Sequence, residues 1–114
     1  MNCTCEGYSQ IYECRVTGGG LIVWKGTAFE CPSSSNEIVF FQSSSGIQVC
    51  NDGAITGRII HAENNTYVSQ LTVSVSAEMI GTNINCYHDS AATQSLIGSS
   101  LLSLTRGICM YFIH

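Results

Sequence analysis

Cysteine is the residue type in this sequence with the widest range of possible chemistry. Seven cysteines occur in 114 residues. Such a density indicates either thiolates that ligate a metal or attack a substrate, or disulfides that stabilise a small fold in an oxidising compartment. Two Asn-X-Thr sequons, at Asn2 and Asn64, are candidate N-glycosylation sites and favour the oxidising setting. The spacing of the cysteines differs between these chemistries.

A structural zinc site is the main metal alternative. Cys3 and Cys5 form a C-x-C pair, and three histidines are present, His61, His88 and His114. Structural zinc sites usually combine two ligand pairs with C-x2–4-C or H-x3–5-H spacing, and no second pair with such spacing occurs. The sequence therefore predicts no metal ion, and nothing in it indicates another cofactor.

A catalytic thiol requires a neighbouring base and an electropositive setting. Cys86 and His88 share one face of a predicted strand, but the same alternation buries Cys86. No G-x-S-x-G motif occurs, and no glycine-rich phosphate loop opens a helix. The sequence predicts that the protein is not an enzyme.

The charge distribution argues against nucleic acid as a partner. The net charge is -4, and the basic residues Arg15, Lys25, Arg58 and Arg106 are scattered, whereas phosphate binding needs clustered cations. The length predicts one domain. The charged fraction of only 11%, with abundant Ser, Thr and Gly, is typical of a protein built from short strands.

The apolar residues recur with period two, which predicts β-strands. The clearest case is 68-VSQLTVSVS-76, in which Leu71, Val73 and Val75 face one way. Turn-forming residues such as 51-NDG-53 separate the strands. Many short strands without a convincing helix indicate an all-β sandwich or barrel. The predicted strands are 11–16, 21–26, 37–42, 46–50, 54–60, 68–76, 82–88 and 99–105.

Two cysteines and the single tryptophan occupy inward positions of the predicted strands. Cys14 and Cys86 are both inward by alternation, and they are far apart in the chain. A disulfide that closes so long a loop contributes about 4 kcal/mol in the chain-entropy treatment. Trp24 is inward on the strand after Cys14, where its ring can cover such a bridge.

This order of cysteine, tryptophan and cysteine resembles the immunoglobulin superfamily, over about residues 8–105. The resemblance implies a Greek-key β-sandwich of two antiparallel sheets, with strand B at Cys14, strand C at Trp24 and strand F at Cys86. It further implies strand E at 71–75 and strand G at 101–104. The long interval after Trp24 leaves room for extra strands, as in the variable or intermediate sets.

The chain departs from the family pattern at two places. Ile84 stands where immunoglobulin domains commonly have a tyrosine, two residues before the second cysteine. The acidic residue usual at the turn between strands E and F is out of register. Glu78 is near that turn, and the resemblance implies that it could pair with Arg58.

The other cysteines leave alternatives open. Cys31 and Cys50 could pair with each other and close a loop worth about 3 kcal/mol in the same treatment, or each could pair elsewhere. A mutual bridge between Cys3 and Cys5 would be strained, so that one of them could reach Cys109. The odd thiol would then be free or bonded outside this chain.

The domain prediction has three parts. Residues 1–7 are an N-terminal extension with extra cysteines, 8–106 are the immunoglobulin-like domain, and 107–114 are an apolar tail of open role. The N-terminal residues lack the basic and apolar regions of a signal peptide, and no run reaches the roughly 18 apolar residues of a membrane span. We therefore expect an extracellular or cell-surface ectodomain whose signal peptide and membrane span lie outside this chain.

An apolar outward face is the strongest functional signal. In the sheet formed by strands G, F, C and C′, the outward positions include Leu21, Val23, Tyr87 and Leu101, and one phase of the run 38-IVFF-41 adds Phe41. Apolar surface of that extent indicates a partner interface. The resemblance points the same way, because this face commonly mediates pairing in variable-type domains.

The sequence therefore predicts a recognition or adhesion domain of a cell-surface receptor or adhesion protein. Its partner would be a protein, homophilic or heterophilic, and it would touch a membrane only through other parts of the parent chain. Binding would use this face or the end loops 17–20, 43–46 and 88–95. The alternatives are a structural spacer in a tandem ectodomain and a secreted disulfide-rich effector.

Overall fold

A computed structural model describes residues 2–6, 9–27, 29, 31, 37–41, 47–76, 79–91 and 93–102. For residues 2–6, 37–41 and 52, the description covers the backbone only. Four predicted features lie outside the described residues: Glu78 of the predicted Arg58–Glu78 pair, the loop 43–46, Cys109 and the tail 107–114.

Nine strands and one short 3₁₀ helix, Asn51–Gly53, make up the described fold. The strands are β1 Asn2–Glu6, β2 Ser9–Thr17, β3 Leu21–Gly26, β4 Glu37–Phe41, β5 Ile47–Cys50, β6 Ile55–Glu63, β7 Thr66–Ser74, β8 Asn83–Ser90 and β9 Thr93–Leu101.

The strands form two antiparallel sheets. Sheet 1 has the order β1-β2-β7-β6-β5, and sheet 2 has the order β4-β3-β8-β9. β2 lies beside β7 and β3 beside β8, so that both sheets pair strands that are distant in sequence, as Greek-key sandwiches do. The predicted all-β sandwich of two antiparallel sheets is confirmed.

Alternation along the strands explains the core between the sheets. In β2 the residues Tyr12, Cys14 and Val16 are buried, while Arg15 and Thr17 between and beyond them are exposed. Successive side chains of a strand point to opposite faces, so one side of each sheet supplies the core. The main contributions from the other strands are Ile22, Trp24, Ile55, Leu71, Val73, Ile84 and Cys86.

The N-terminal segment is part of sheet 1. It was predicted as an extension, but residues 2–6 pair along β2 from Asn2 opposite Glu13 to Glu6 opposite Ser9. Residues 2–6 alternate polar side chains with cysteines, but so short a run does not indicate which strand it pairs with. The pairing depends on the edge of β2, whose backbone groups are available for hydrogen bonds to β1.

The predicted end loop 88–95 is wrong in extent. β8 continues to Ser90 and β9 begins at Thr93, with Ser90 opposite Thr93 in register. Ala91 has a φ of 53° within the connecting turn. Small polar side chains are compatible with an exposed hairpin, so the absence of apolar alternation concealed the strands.

Several turns meet at one end of the sandwich, which we call the loop end. The amide of Gly18 donates to the carbonyl of Asn65 at 2.9 Å, and Nε2 of His88 lies 2.8 Å from the carbonyl oxygen of Gly19. Gly18 has a φ of +102° and Gly20 has a φ of +117°. A Cβ on Gly20 would collide with the carbonyl oxygen of Asp89. The loop end is therefore packed backbone against backbone.

Candidate protein interface

The bridge between the sheets fixes the geometry of the whole site. Cys14 of β2 and Cys86 of β8 are joined by a disulfide, with 6.4 Å between their Cα atoms and 72 residues between them in the chain. This is the pair that the sequence predicts. Trp24 of β3 lies beside Cys86 in register and is fully buried.

Trp24 is also held by a polar contact that the sequence does not predict. Its indole Nε1 donates to Oγ of Ser69 at 2.8 Å, and the Ser69 hydroxyl donates to the carbonyl of Arg58 at 3.1 Å. Ser69 is opposite Cys14 in the ladder between β2 and β7. Buried polar groups normally have such partners. The sequence does indicate that Ser69 points inward, because it lies two positions before Leu71 in the same strand.

A second disulfide joins Cys31 to Cys50, the pairing that the sequence left open. Their Cα atoms are 4.3 Å apart, and 19 residues separate them in the chain. Cys50 ends β5 and is buried, so the bridge attaches the segment after β3 to the outer strand of sheet 1.

The two disulfides indicate an oxidising, extracellular-type environment. Within the described ranges, no group of three or more His, Cys, Asp or Glu side chains could hold a metal ion. The same part of the chain contains no helix long and apolar enough to cross a membrane.

The face of sheet 2 that points away from the core, here called the outer face, has one central row. Val23 of β3, Tyr87 of β8 and Leu96 of β9 lie side by side in register. Residues directly opposite each other in a sheet share a face, and these three alternate with core residues such as Trp24. Phe41 pairs with Leu21 at the β3–β4 edge, and its side chain lies outside the described set.

Val23 does not contribute exposed surface, contrary to the prediction. It lies on the outer face as its phase requires, but only 3% of it is exposed. The physical reason is its position: β3 is an interior strand, flanked by β4 on one side and by Tyr87 of β8 on the other. A short side chain in the middle of a sheet is covered by its neighbours.

Among the side chains of the outer face that the structure describes, the exposed apolar ones are on β9. Leu96 and Leu101 are each 57% exposed, and Ile97 is also exposed. Tyr87 and Leu21 are half-buried. Leu101 was predicted, whereas Leu96 and Ile97 were not, because they lie between the predicted loop 88–95 and the predicted strand 99–105.

A register shift in the β8–β9 ladder explains the position of Ile97. Cys86 pairs with Gly98 and the next residue, Tyr87, pairs with Leu96, so Ile97 is the extra residue of a β-bulge. Bulges bend a strand and re-aim its side chains. This bulge places two neighbouring apolar residues at the edge of sheet 2.

A polar strip adjoins these apolar side chains. The Lys25 ammonium lies 5.1 Å from the centre of the Tyr87 ring, a cation–π contact. Lys25 also donates to Oε1 of Gln94 at 2.9 Å, and Nε2 of Gln94 donates to Oδ2 of Asp89 at 3.4 Å. Apolar side chains beside an ordered polar strip can provide both contact area and hydrogen bonds to a protein partner.

Other exposed apolar side chains occur outside this face, and they allow a comparison. Ile47 is 64% exposed on β5, the edge strand of sheet 1. It is opposite Arg58, and Val49 is opposite Thr56, so polar residues adjoin both. Arg58 donates two hydrogen bonds to Gln70. Ile47 is therefore about as exposed as Leu96, but the residue opposite it is Arg58, whereas the residue opposite Leu96 is Tyr87.

Comparison with known protein families, curated proteins and solved structures finds no match to this chain. The fold and the site define a class of protein by themselves. It is a disulfide-bonded, all-β sandwich that presents apolar residues and an ordered polar strip on one outer sheet face.

Replacing Val23 with glutamate should destabilise the fold. The lost apolar burial alone is worth about 1.5–3 kcal/mol, and the carboxylate would lose part of its hydration. Leu96→Glu, on the same face but exposed, is the matched control and should change the free energy of unfolding by less than about 0.5 kcal/mol. Urea unfolding measures both. Equal stability of the two variants would contradict the burial of Val23.

Proposed function

We propose that this chain is an immunoglobulin-like domain that recognises a protein partner outside the cell or at its surface. The outer face of sheet 2 is the binding surface. The observation that carries the proposal is the pair Leu96 and Leu101, each 57% exposed, on the same face as the half-buried Tyr87.

The family part of the proposal is supported by the arrangement around the bridge. Immunoglobulin domains link their two sheets by a disulfide and pack a tryptophan against it. Here Cys14 of sheet 1 bonds to Cys86 of sheet 2, and Trp24 is beside Cys86 in register. Ile84, at the position of the usual tyrosine, is buried in the core. Apolar packing would replace the tyrosine's hydrogen bond.

The binding part is supported by the composition of the face. Exposed apolar side chains carry a hydration cost, and a contiguous group of them on a folded domain usually marks a binding surface. Binding energy at protein interfaces concentrates in aromatic and other large anchors surrounded by polar groups. Tyr87, with Lys25 over its ring, would be the central anchor. Leu96 and Leu101 would bury their exposed area against the partner.

The extracellular part is supported by redox chemistry. Disulfides form and persist in secreted and surface proteins, while cytosolic thiols are kept reduced. The four cysteines whose side chains the structure describes, Cys14, Cys31, Cys50 and Cys86, are all paired. The sequons at Asn2 and Asn64 fit passage through the same compartment.

A charge on the outer face should weaken binding without unfolding the domain. The test presents the tetramerised domain to cells that display a library of surface and secreted proteins, this chain included. For a partner found in this way, we expect Leu96→Asp and Leu101→Asp each to weaken binding at least about tenfold, equivalent to ~1.4 kcal/mol. Ile47→Asp is the matched control, since Ile47 is also exposed and apolar but lies on sheet 1.

The control separates recognition from general stickiness. Loss of binding in Ile47→Asp to the same extent would mean that exposed apolar area alone causes the association. Full binding by Leu96→Asp and Leu101→Asp would place the contact elsewhere on the domain. Near-native circular dichroism and thermal midpoints are required of all three variants.

A further inference from the structure

The turn between β6 and β7 places an asparagine at the tip of the loop end. Asn64 and Asn65 connect the strands, and Glu63 pairs with Thr66 immediately beneath them. Their φ angles are 53° and 60°. Two consecutive residues with positive φ form the tight hairpin turn that matches strand twist, and asparagine tolerates this conformation. Both residues are exposed.

The same turn contains the sequon Asn64-Asn65-Thr66. From this coincidence we propose that Asn64 carries an N-linked glycan, an inference that rests on the proposed function only for passage through the secretory compartment. The donor is an oligosaccharide linked to a lipid pyrophosphate. A bond forms between Nδ2 of Asn64 and the sugar C1, the bond from C1 to the pyrophosphate oxygen breaks, and the amide proton leaves to the transferase.

The folded structure accommodates the product. A glycan is bulky and needs a surface position, and the exposed tip of a two-residue turn offers one. The strand residues on either side, Glu63 and Thr66, keep their pairing whatever extends from the tip. Asn64 is not part of the hydrophobic core cluster. The modified asparagine can therefore enter the fold without displacing core side chains.

The glycan would favour one of the two binding surfaces that the sequence predicts, which are the outer face of sheet 2 and the end loops. The carbonyl of Asn65 accepts from Gly18 at 2.9 Å, so the glycosylated turn adjoins the turn at 18–20. A glycan there would crowd the loop end. Leu101 is opposite Asn83, where β8 begins, whereas the loop end holds the residues where β8 finishes. Modification of Asn64 thus leaves the part of the outer face around Leu101 accessible.

The experiment is secretion of the full chain, behind a signal peptide, from cultured animal cells. Peptide N-glycosidase F converts a glycosylated asparagine to aspartate, and peptide mass spectrometry of cells and medium together reads this at Asn64. We expect modification in the wild type, loss in Thr66→Ala and retention in Thr66→Ser, which keeps the hydroxyl. Thr4→Ala removes only the sequon at Asn2 and should leave Asn64 modified.

Each outcome bears on the inference. An unmodified Asn64 in protein whose Cys14–Cys86 bridge has formed overturns it, and leaves binding through Leu96 untouched. Modification that persists in Thr66→Ala also overturns it, because the hydroxyl would then play no part. Partner binding that strengthens tenfold after glycosidase treatment would keep the glycan but move the binding surface to the loop end.

Discussion

Trp24→Ala is expected to lower the free energy of unfolding by about 3–5 kcal/mol. A domain of this size is stable by about 5–15 kcal/mol, so this one change removes a large share. The indole is fully buried between the sheets, in register with Cys86. Its loss leaves a cavity beside the bridge, and the rigid ladders on both sides prevent full collapse.

The hydrogen bond of Trp24 can be separated from its packing. Ser69→Ala leaves the indole Nε1 and the Arg58 carbonyl without the Ser69 hydroxyl, which should cost about 1–3 kcal/mol. Trp24→Phe keeps much of the apolar bulk and removes the donor. In a double-mutant cycle, the combined variant should lose less than the sum of the single losses, because the two residues share one interaction.

Urea unfolding followed by far-ultraviolet circular dichroism suits this series. Trp24 is the only tryptophan, so fluorescence reports on Ser69→Ala but not on Trp24→Ala. A Trp24→Ala midpoint equal to that of the wild type would mean that the indole is not packed as described. Strict additivity of Trp24→Phe and Ser69→Ala would contradict the hydrogen bond.

Removal of the bridge between the sheets, as Cys14→Ala with Cys86→Ala, should cost about 4 kcal/mol. Both cysteines are replaced so that neither is left as an unpaired thiol by the loss of the other. The bridge spans 72 residues, and the one between Cys31 and Cys50 spans 19. Since the entropy of loop closure grows with loop length, the double replacement of Cys31 and Cys50 should cost less, about 3 kcal/mol.

The comparison of the two double variants is the sharper measurement. Urea unfolding of both, with sucrose present if either is unfolded in buffer, places them on one scale. A larger loss at the shorter loop would show that native-state packing, rather than loop length, sets the difference. Wild-type stability without the Cys14–Cys86 bridge would remove the main support for the immunoglobulin-like interpretation.

Period-two alternation predicted which face most residues occupy, but not how deeply each is covered. Cys14 and Trp24 were placed correctly because a buried inward position depends only on phase. Val23 has the right face and the wrong exposure, because its cover comes from neighbouring strands whose order is not local information. Leu96 illustrates a second limit: the bulge at Ile97 changes the phase of β9 relative to β8.

Pairing between distant segments was the other property that local pattern did not determine. The pairing of Cys31 with Cys50 stayed open because it depends on β5 joining sheet 1 through β6. Strand β1 was missed for the same reason, since its place beside β2 comes from an available sheet edge. Ser69 lies on a predictable phase, but its partner Trp24 is on the other sheet.

The position of Lys25 has a practical consequence for handling the protein. It is the chain's only lysine, and its ammonium lies over Tyr87 and donates to Gln94, within the outer face. Amine-reactive dyes, biotin esters and sensor-chip coupling modify lysine and the α-amino group. Attachment through Lys25 would turn the proposed binding surface toward the solid support. Capture through a terminal tag would leave that surface facing the solution.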